Sequence, residues 1–129
     1  MNKTMLIGRV VTAPEISKTA NDKSYVRTTI AINRRFKNEN GEREADFITT
    51  VFWGKTAETL ASYAKKGTLI SVEGEIRTRN YTDKQDQKHY VTEVLALTYD
   101  LLESRAAIAL RENNVHTEEV MLEAEELPF

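Results

Sequence analysis

Cysteine is absent from this 129-residue chain, which removes disulfides, thiolate metal sites and cysteine nucleophiles together. The absence also fits a reducing compartment. Histidine is scarce: His89 and His116 are isolated, each expected at the surface or in packing rather than on a metal. Long apolar runs are missing as well. Lys3 leads into Met5-Leu6-Ile7, but Arg9 interrupts that run too early for a signal-peptide core. No segment approaches the roughly 20 apolar residues of a membrane-spanning helix. A soluble cytoplasmic protein, with no membrane partner, is the expectation.

No strong excess of one charge exists overall, since the net charge is −2. That balance conceals a division. Residues 1–105 carry 17 Lys and Arg against 14 Asp and Glu, whereas residues 106–129 carry only Arg111 against six Glu. A mildly basic body followed by an acidic tail hints at a polyanion ligand and a tail that competes with it or binds elsewhere. The hydrophobic fraction of 40% and charged fraction of 29% suit one ordinary globular domain plus a tail.

What is present begins with β-type alternation. Thr4 to Val11 reads as a first strand, with Gly8 a bulge or tight bend. Ser17 to Lys23 reads as a turn. In Ser24 to Arg35, Val26, Thr28, Ile30 and Ile32 share one face, and Tyr25, Arg27, Thr29, Asn33 and Arg35 the other. Asn38 to Glu42 is a loop, and Ala45 to Trp53 is a third strand. Lys55 to Lys66 changes period: Thr56, Leu60, Tyr63 and Ala64 fit one side of a short helix, with Gly67 placed to end it. Thr68 to Arg79 and His89 to Tyr99 complete the strands, with a turn at Asp83 to Gln87. The order β-β-β-α-β-β predicts an all-β protein, a five-stranded Greek-key barrel of the OB type with one short helix between strands three and four. A flexible acidic tail follows, in which Ala106, Ala107, Ile108 and Leu110 suggest a helical turn.

Two strands carry rings and cations at shared parity. Phe47, Val51 and Trp53 project from one face of the third strand, opposite Ile48 and Phe52. Arg77, Arg79 and Tyr81 line one surface of the fourth, alternating with a core-directed Ile76 and the small polar Thr78 and Asn80. Arg27 and Arg35 add to this surface, with Arg34-Arg35-Phe36 at the loop end. Unpaired bases stack on rings whatever their identity, and cations neutralise phosphates, so this surface points to single-stranded nucleic acid. Nothing in the pattern is shaped for a duplex groove.

The run Ala45-Asp46-Phe47-Ile48-Thr49-Thr50-Val51-Phe52-Trp53-Gly54-Lys55-Thr56-Ala57-Glu58 resembles the third strand and helix entry of bacterial single-stranded DNA-binding proteins. So do Lys65-Lys66-Gly67 and the stretch Val72 to Asp83, while Asn2-Lys3, Ile7-Gly8-Arg9 and Ala13-Pro14-Glu15 resemble the family's opening. The resemblance spans nearly all of residues 1–104 plus the final few. It implies base stacking by Phe36, Phe47, Trp53 and Tyr81, and phosphate contacts from Lys3, Arg9, Arg27, Arg34, Arg35, Lys55, Arg77 and Arg79. Phe47 and Tyr81 stand where the best-known members have tryptophan, which implies weaker stacking per base. Further implications are a nucleoid-associated homotetramer without catalytic activity, cofactor or metal. The family's domain would cover 1–104, a short polar linker 105–122 and a partner-binding tip 123–129. That tip, Glu125-Glu126-Leu127-Pro128-Phe129, would dock replication, recombination and repair proteins. The linker departs from the long Gly-, Gln- or Pro-rich connections of many members; it resembles a shorter second paralogue, of the kind some bacteria devote to incoming DNA during transformation.

Two other classes compete. A metal-dependent nuclease would use Glu73 and Glu75, which share a strand face across Gly74, against which they read as solvated or interface glutamates. A protein-only adaptor would use the basic face for acidic partners.

Overall fold

The computed structural model describes residues 1–111. Six strands and two helices follow in order: β1 (Thr4–Val10), β2 (Ser17–Lys18), β3 (Ser24–Lys37), β4 (Arg43–Trp53), α1 (Gly54–Tyr63), β5 (Leu69–Thr82), β6 (Lys88–Leu101) and α2 (residues 105–111). The sheet order is β1-β5-β6-β4-β3-β2, and an additional β1–β3 pairing closes the five long strands into a barrel. Strands β4 and β6 run parallel, with Thr50 opposite Val94 and Val51 opposite Leu95; every other pairing is antiparallel. This architecture is consistent with the expected OB barrel.

Alternation explains the interior. Val26, Thr28 and Ile30 of β3 point inward with Thr50 and Phe52 of β4 and with Ile70 and Val72 of β5. Helix α1 caps one end by burying Ala57 and Leu60, and Ala64 just beyond it. Tyr63, expected on that face, is exposed. The helix also stops earlier than expected. Ala64 is already extended, so Gly67 lies beyond the helix, in the turn into β5.

Barrel closure depends on two close backbone approaches. A Cβ on Gly8 would sit 2.4 Å from the Ala31 carbonyl oxygen, where β1 leaves β5 to meet β3. A Cβ on Gly74 would sit 2.2 Å from the Leu95 carbonyl oxygen. Gly74 faces a register shift in which Glu73 pairs with Thr98 and Gly74 with Ala96, so Leu97 has no partner. That bulge exchanges the faces of β6: Val94 and Ala96 point inward before it, Tyr99 and Leu101 after it.

The two long hairpins outrun the barrel. β5 alone has 14 residues, a reach of roughly 45 Å. Ile76 therefore departs from the core-directed expectation: it is 49% exposed, because β5 has already passed the barrel rim. Both hairpins are closed by the same device. The Asn38 side-chain oxygen accepts from the backbone N–H of Asn40 and Glu42 at 3.0 and 2.9 Å, and Asp83 Oδ1 accepts from Gln85 and Gln87 at 2.9 Å each. The turn expected at Ser17 to Lys23 is itself a tight hairpin whose first two residues form β2 against Ser24 and Tyr25.

The helical turn suggested at Ala106 to Leu110 is α2. The Ser104 hydroxyl accepts from the Ala107 N–H at 3.1 Å, and Ile108 is buried. Arg111 reaches the Gly67 carbonyl and Glu103. Glu125 to Phe129, and residues 112–122 of the expected linker, lie outside the described residues.

Candidate functional site

Parity and register together build one continuous outer face from four adjacent strands. Across β3, β4, β6 and β5, Tyr25 lies opposite Trp53, Arg27 opposite Val51, Val51 opposite Leu95, Arg77 opposite Glu93, Arg79 opposite Val91 and Tyr81 opposite His89. All of these positions project from the barrel. Val51 does so while buried beneath its neighbours, whereas Phe36, Phe47, Trp53 and Tyr81 are 41% to 78% exposed.

Two aromatic stations result. At one, the Trp53 ring packs on Tyr25 with centroids 5.2 Å apart and a 39° tilt, and the Arg27 guanidinium sits 5.7 Å from the Tyr25 centroid. At the other, Tyr81 stacks on His89 at 4.9 Å and 16°, with the Arg79 guanidinium 5.8 Å from the Tyr81 centroid. His89 Nε2 lies 2.7 Å from Asp83 Oδ2, so the residue that closes the hairpin also fixes the imidazole under Tyr81. That hydrogen bond, with the Gln87 and Gln85 N–H groups, holds the Asp83 carboxyl below the usual carboxylate range.

Phe47 stands apart from both stations, beside a cavity of about 370 Å³ where β4 and β6 stop pairing, lined by Ile48, Ile76, Thr92 and Glu93 among others. Phe36 is the most exposed of the four rings, on the β3–β4 arm with Arg34 and Arg35.

The eight expected phosphate cations do not converge. Arg27 and Arg79 share Glu93, at 3.4 and 3.2 Å. Arg77 pairs with Glu75 at 2.6 Å. Arg34 is bound by Glu44 and Asp46, and its hydrogen bond holds the Asp46 carboxyl low. Lys3 pairs with Glu73 at 2.8 Å. Arg9 donates to the Gly67 carbonyl at 2.9 Å and to Glu103 at 3.0 Å, at the α2 end of the barrel. Among the described residues, Arg35 and Lys55 make no ion pair.

Glu73 and Glu75 thus each hold a cation of their own, and the bulge separates Glu73 from the β5 arm. Among the described residues no three His, Cys, Asp or Glu side chains could hold a metal ion, and no helix is long and apolar enough to cross a membrane. Sequence reasoning missed three members of the face. Tyr25 and His89 share parity with the expected residues of neighbouring strands, a signal available from alternation. Glu93 is an acid within an otherwise β-rich run, Tyr90 to Leu95.

Residues 1–102 match a family model described as the single-strand binding protein family. The chain is 60% identical over 130 residues to Single-stranded DNA-binding protein 2 of Streptococcus agalactiae, covering 99% of this chain and 98% of that protein. It is 59% identical to Single-stranded DNA-binding protein 1 of Streptococcus pyogenes, over the same shares. To the Single-stranded DNA-binding protein of Enterococcus faecalis it is 50% identical over 107 residues, covering 83% of this chain and 57% of that one.

Proposed function

Because the chain belongs to the single-strand binding protein family, we propose that it binds and protects single-stranded DNA without sequence preference. The observation that carries this reading is the pair of aromatic stations, Tyr25–Trp53 and Tyr81–His89, on one face with Arg27 and Arg79 between them. Bases stack on exposed rings at ~1–3 kcal/mol each, indifferent to identity because every base has a π face. Guanidinium groups beside the rings meet the phosphates. Phe47 and Phe36 extend the track over the rim and onto the β3–β4 arm.

Trp53 is the sole tryptophan, so its emission reports directly on the face. Titration with oligo-dT is expected to quench it strongly; an adaptor for acidic proteins would leave it unchanged. Affinity is expected to fall linearly on a log–log plot against salt, by about 0.7 in slope per phosphate neutralised. Eight cations fully engaged with phosphates would give about −6, and since six of them already face carboxylates the line should be shallower than that. A flat line would remove the cations from the mechanism.

The functional unit is a homotetramer in this reading. Support comes from Met5 and Ile7, both exposed on the outer face of β1 away from the stations. Mass-resolved size exclusion with dT oligomers of graded length measures subunit number and site size together. The tip Glu125-Glu126-Leu127-Pro128-Phe129 recruits replication, recombination and repair proteins, and its removal should abolish their capture while DNA binding stays intact or tightens slightly. Loss of DNA binding on that truncation would instead make the tail structural. The near-complete match to the similarly short Streptococcus agalactiae protein favours a compact second paralogue, for which protection of incoming DNA is the corresponding role.

A further inference from the structure

Glu93 lies at the centre of the proposed DNA face, and only 8% of it is exposed. A buried carboxylate is a poor choice for a surface that attracts a polyanion, unless it serves the cations around it. Oε2 accepts from Arg27 Nε on β3 at 3.4 Å, and Oε1 accepts from Arg79 Nε on β5 at 3.2 Å. Those two strands are not neighbours; β4 and β6 lie between them. Each arginine in turn covers the tyrosine of one station. A single carboxylate therefore joins Trp53–Tyr25–Arg27 to Arg79–Tyr81–His89.

The contacts use the Nε–H edge of each guanidinium. An arginine has five N–H donors, so the terminal nitrogens of Arg27 and Arg79 keep theirs for a phosphate. The arrangement holds two side chains, each with many rotamers, in the plane of the face before DNA arrives. It also leaves the trio with one net positive charge instead of two.

We propose that Glu93 is a positioning residue for single-strand binding, which locks Arg27 and Arg79 into one shared setting and couples the two stacking stations. The proposal rests on the single-strand binding reading. Glutamine at this position keeps the volume but loses the charge that holds both arginines.

The test compares wild type with Glu93→Gln, using fluorescently labelled dT oligomers long enough to cover both stations, from low to high salt. Freed of its partner, the extra positive charge should steepen the log–log line by about 0.7. The loosened arginines should lower affinity on the order of tenfold at the high-salt end, where stacking dominates. Adding Arg79→Gln to Glu93→Gln restores the net charge and should return the slope to the wild-type value without restoring the affinity. A Glu93→Gln line parallel to wild type would overturn the proposal, leaving Glu93 a packing residue. Should Glu93→Gln fail to fold, Arg27→Gln, Arg79→Gln and the double variant carry the test: affinity losses that do not add support coupling through Glu93, and additive losses overturn it. Failure of wild type to bind dT at all would sink the functional reading itself, a result distinct from both.

Discussion

Phe52→Ala is expected to lower the unfolding free energy by about 3–5 kcal/mol, read as a fall in urea midpoint at unchanged denaturant slope. Phe52 is the largest of the fully buried side chains among the described residues. It meets Tyr99 edge-on, ring centroids 5.7 Å apart at 89°, and packs within the cluster formed by Val26, Ile30, Leu60 and Ile70. Truncation removes this apolar area and leaves a cavity in a close-packed barrel that the β1–β3 closure prevents from collapsing. Domains of this size are stable by only about 5–15 kcal/mol, so the variant would sit near the edge of folding. A loss below about 1 kcal/mol would mean that the barrel does not pack around this ring.

One residue further on, Trp53→Ala is expected to leave the urea midpoint nearly unchanged and to weaken binding to poly-dT by about 1–3 kcal/mol, roughly 5- to 150-fold. Adjacent residues on a strand face opposite sides, so Trp53 projects outward, 41% exposed, resting on Tyr25. Its removal takes a stacking surface from the face and little from the interior. Anisotropy of a labelled oligomer is the appropriate measurement, since the substitution removes the only intrinsic tryptophan signal. Trp53→Phe should retain most of the affinity. Equal loss of stability and binding in Trp53→Ala would place this residue in the core and move the site elsewhere.

The contrast between those two residues was legible from alternation alone, as were the inward faces of β3 and β5 up to Val72. Period-2 reasoning says which side a residue takes; it says nothing about where the barrel stops along a strand. Ile76 follows from that gap, since it keeps the inward parity of Val72 yet lies past the rim. The two-residue β2 is too short to carry a pattern, and its pairing partners, Ser24 and Tyr25, belong to β3. Glu93 was hidden for a different reason. In sequence it is a lone acid in a strand, a pattern that ordinarily marks solvent, and its meaning comes from Arg27, 66 residues away. Arg9 shows the same dependence on distant partners: an outward cation on β1 is drawn to Gly67 and Glu103 at the α2 end.

The unpaired Leu97 makes β6 a strand of two phases. Losing that one residue would restore plain alternation, because Thr98 would then follow Ala96 as their partners Glu73 and Gly74 adjoin, and both inward sets would be kept. A further loss between Glu93 and Tyr99 would either turn Glu93 into the apolar interior or turn Tyr99 and Leu101 out of it. Between Asp83 and Gln87, by contrast, the chain crosses a hairpin tip where added or lost residues leave both flanking faces in place. Across descendants of this chain, length should vary freely at the tips of the two arms, while within β6 the bulge at Leu97 is the place where a single residue can be lost with both faces kept.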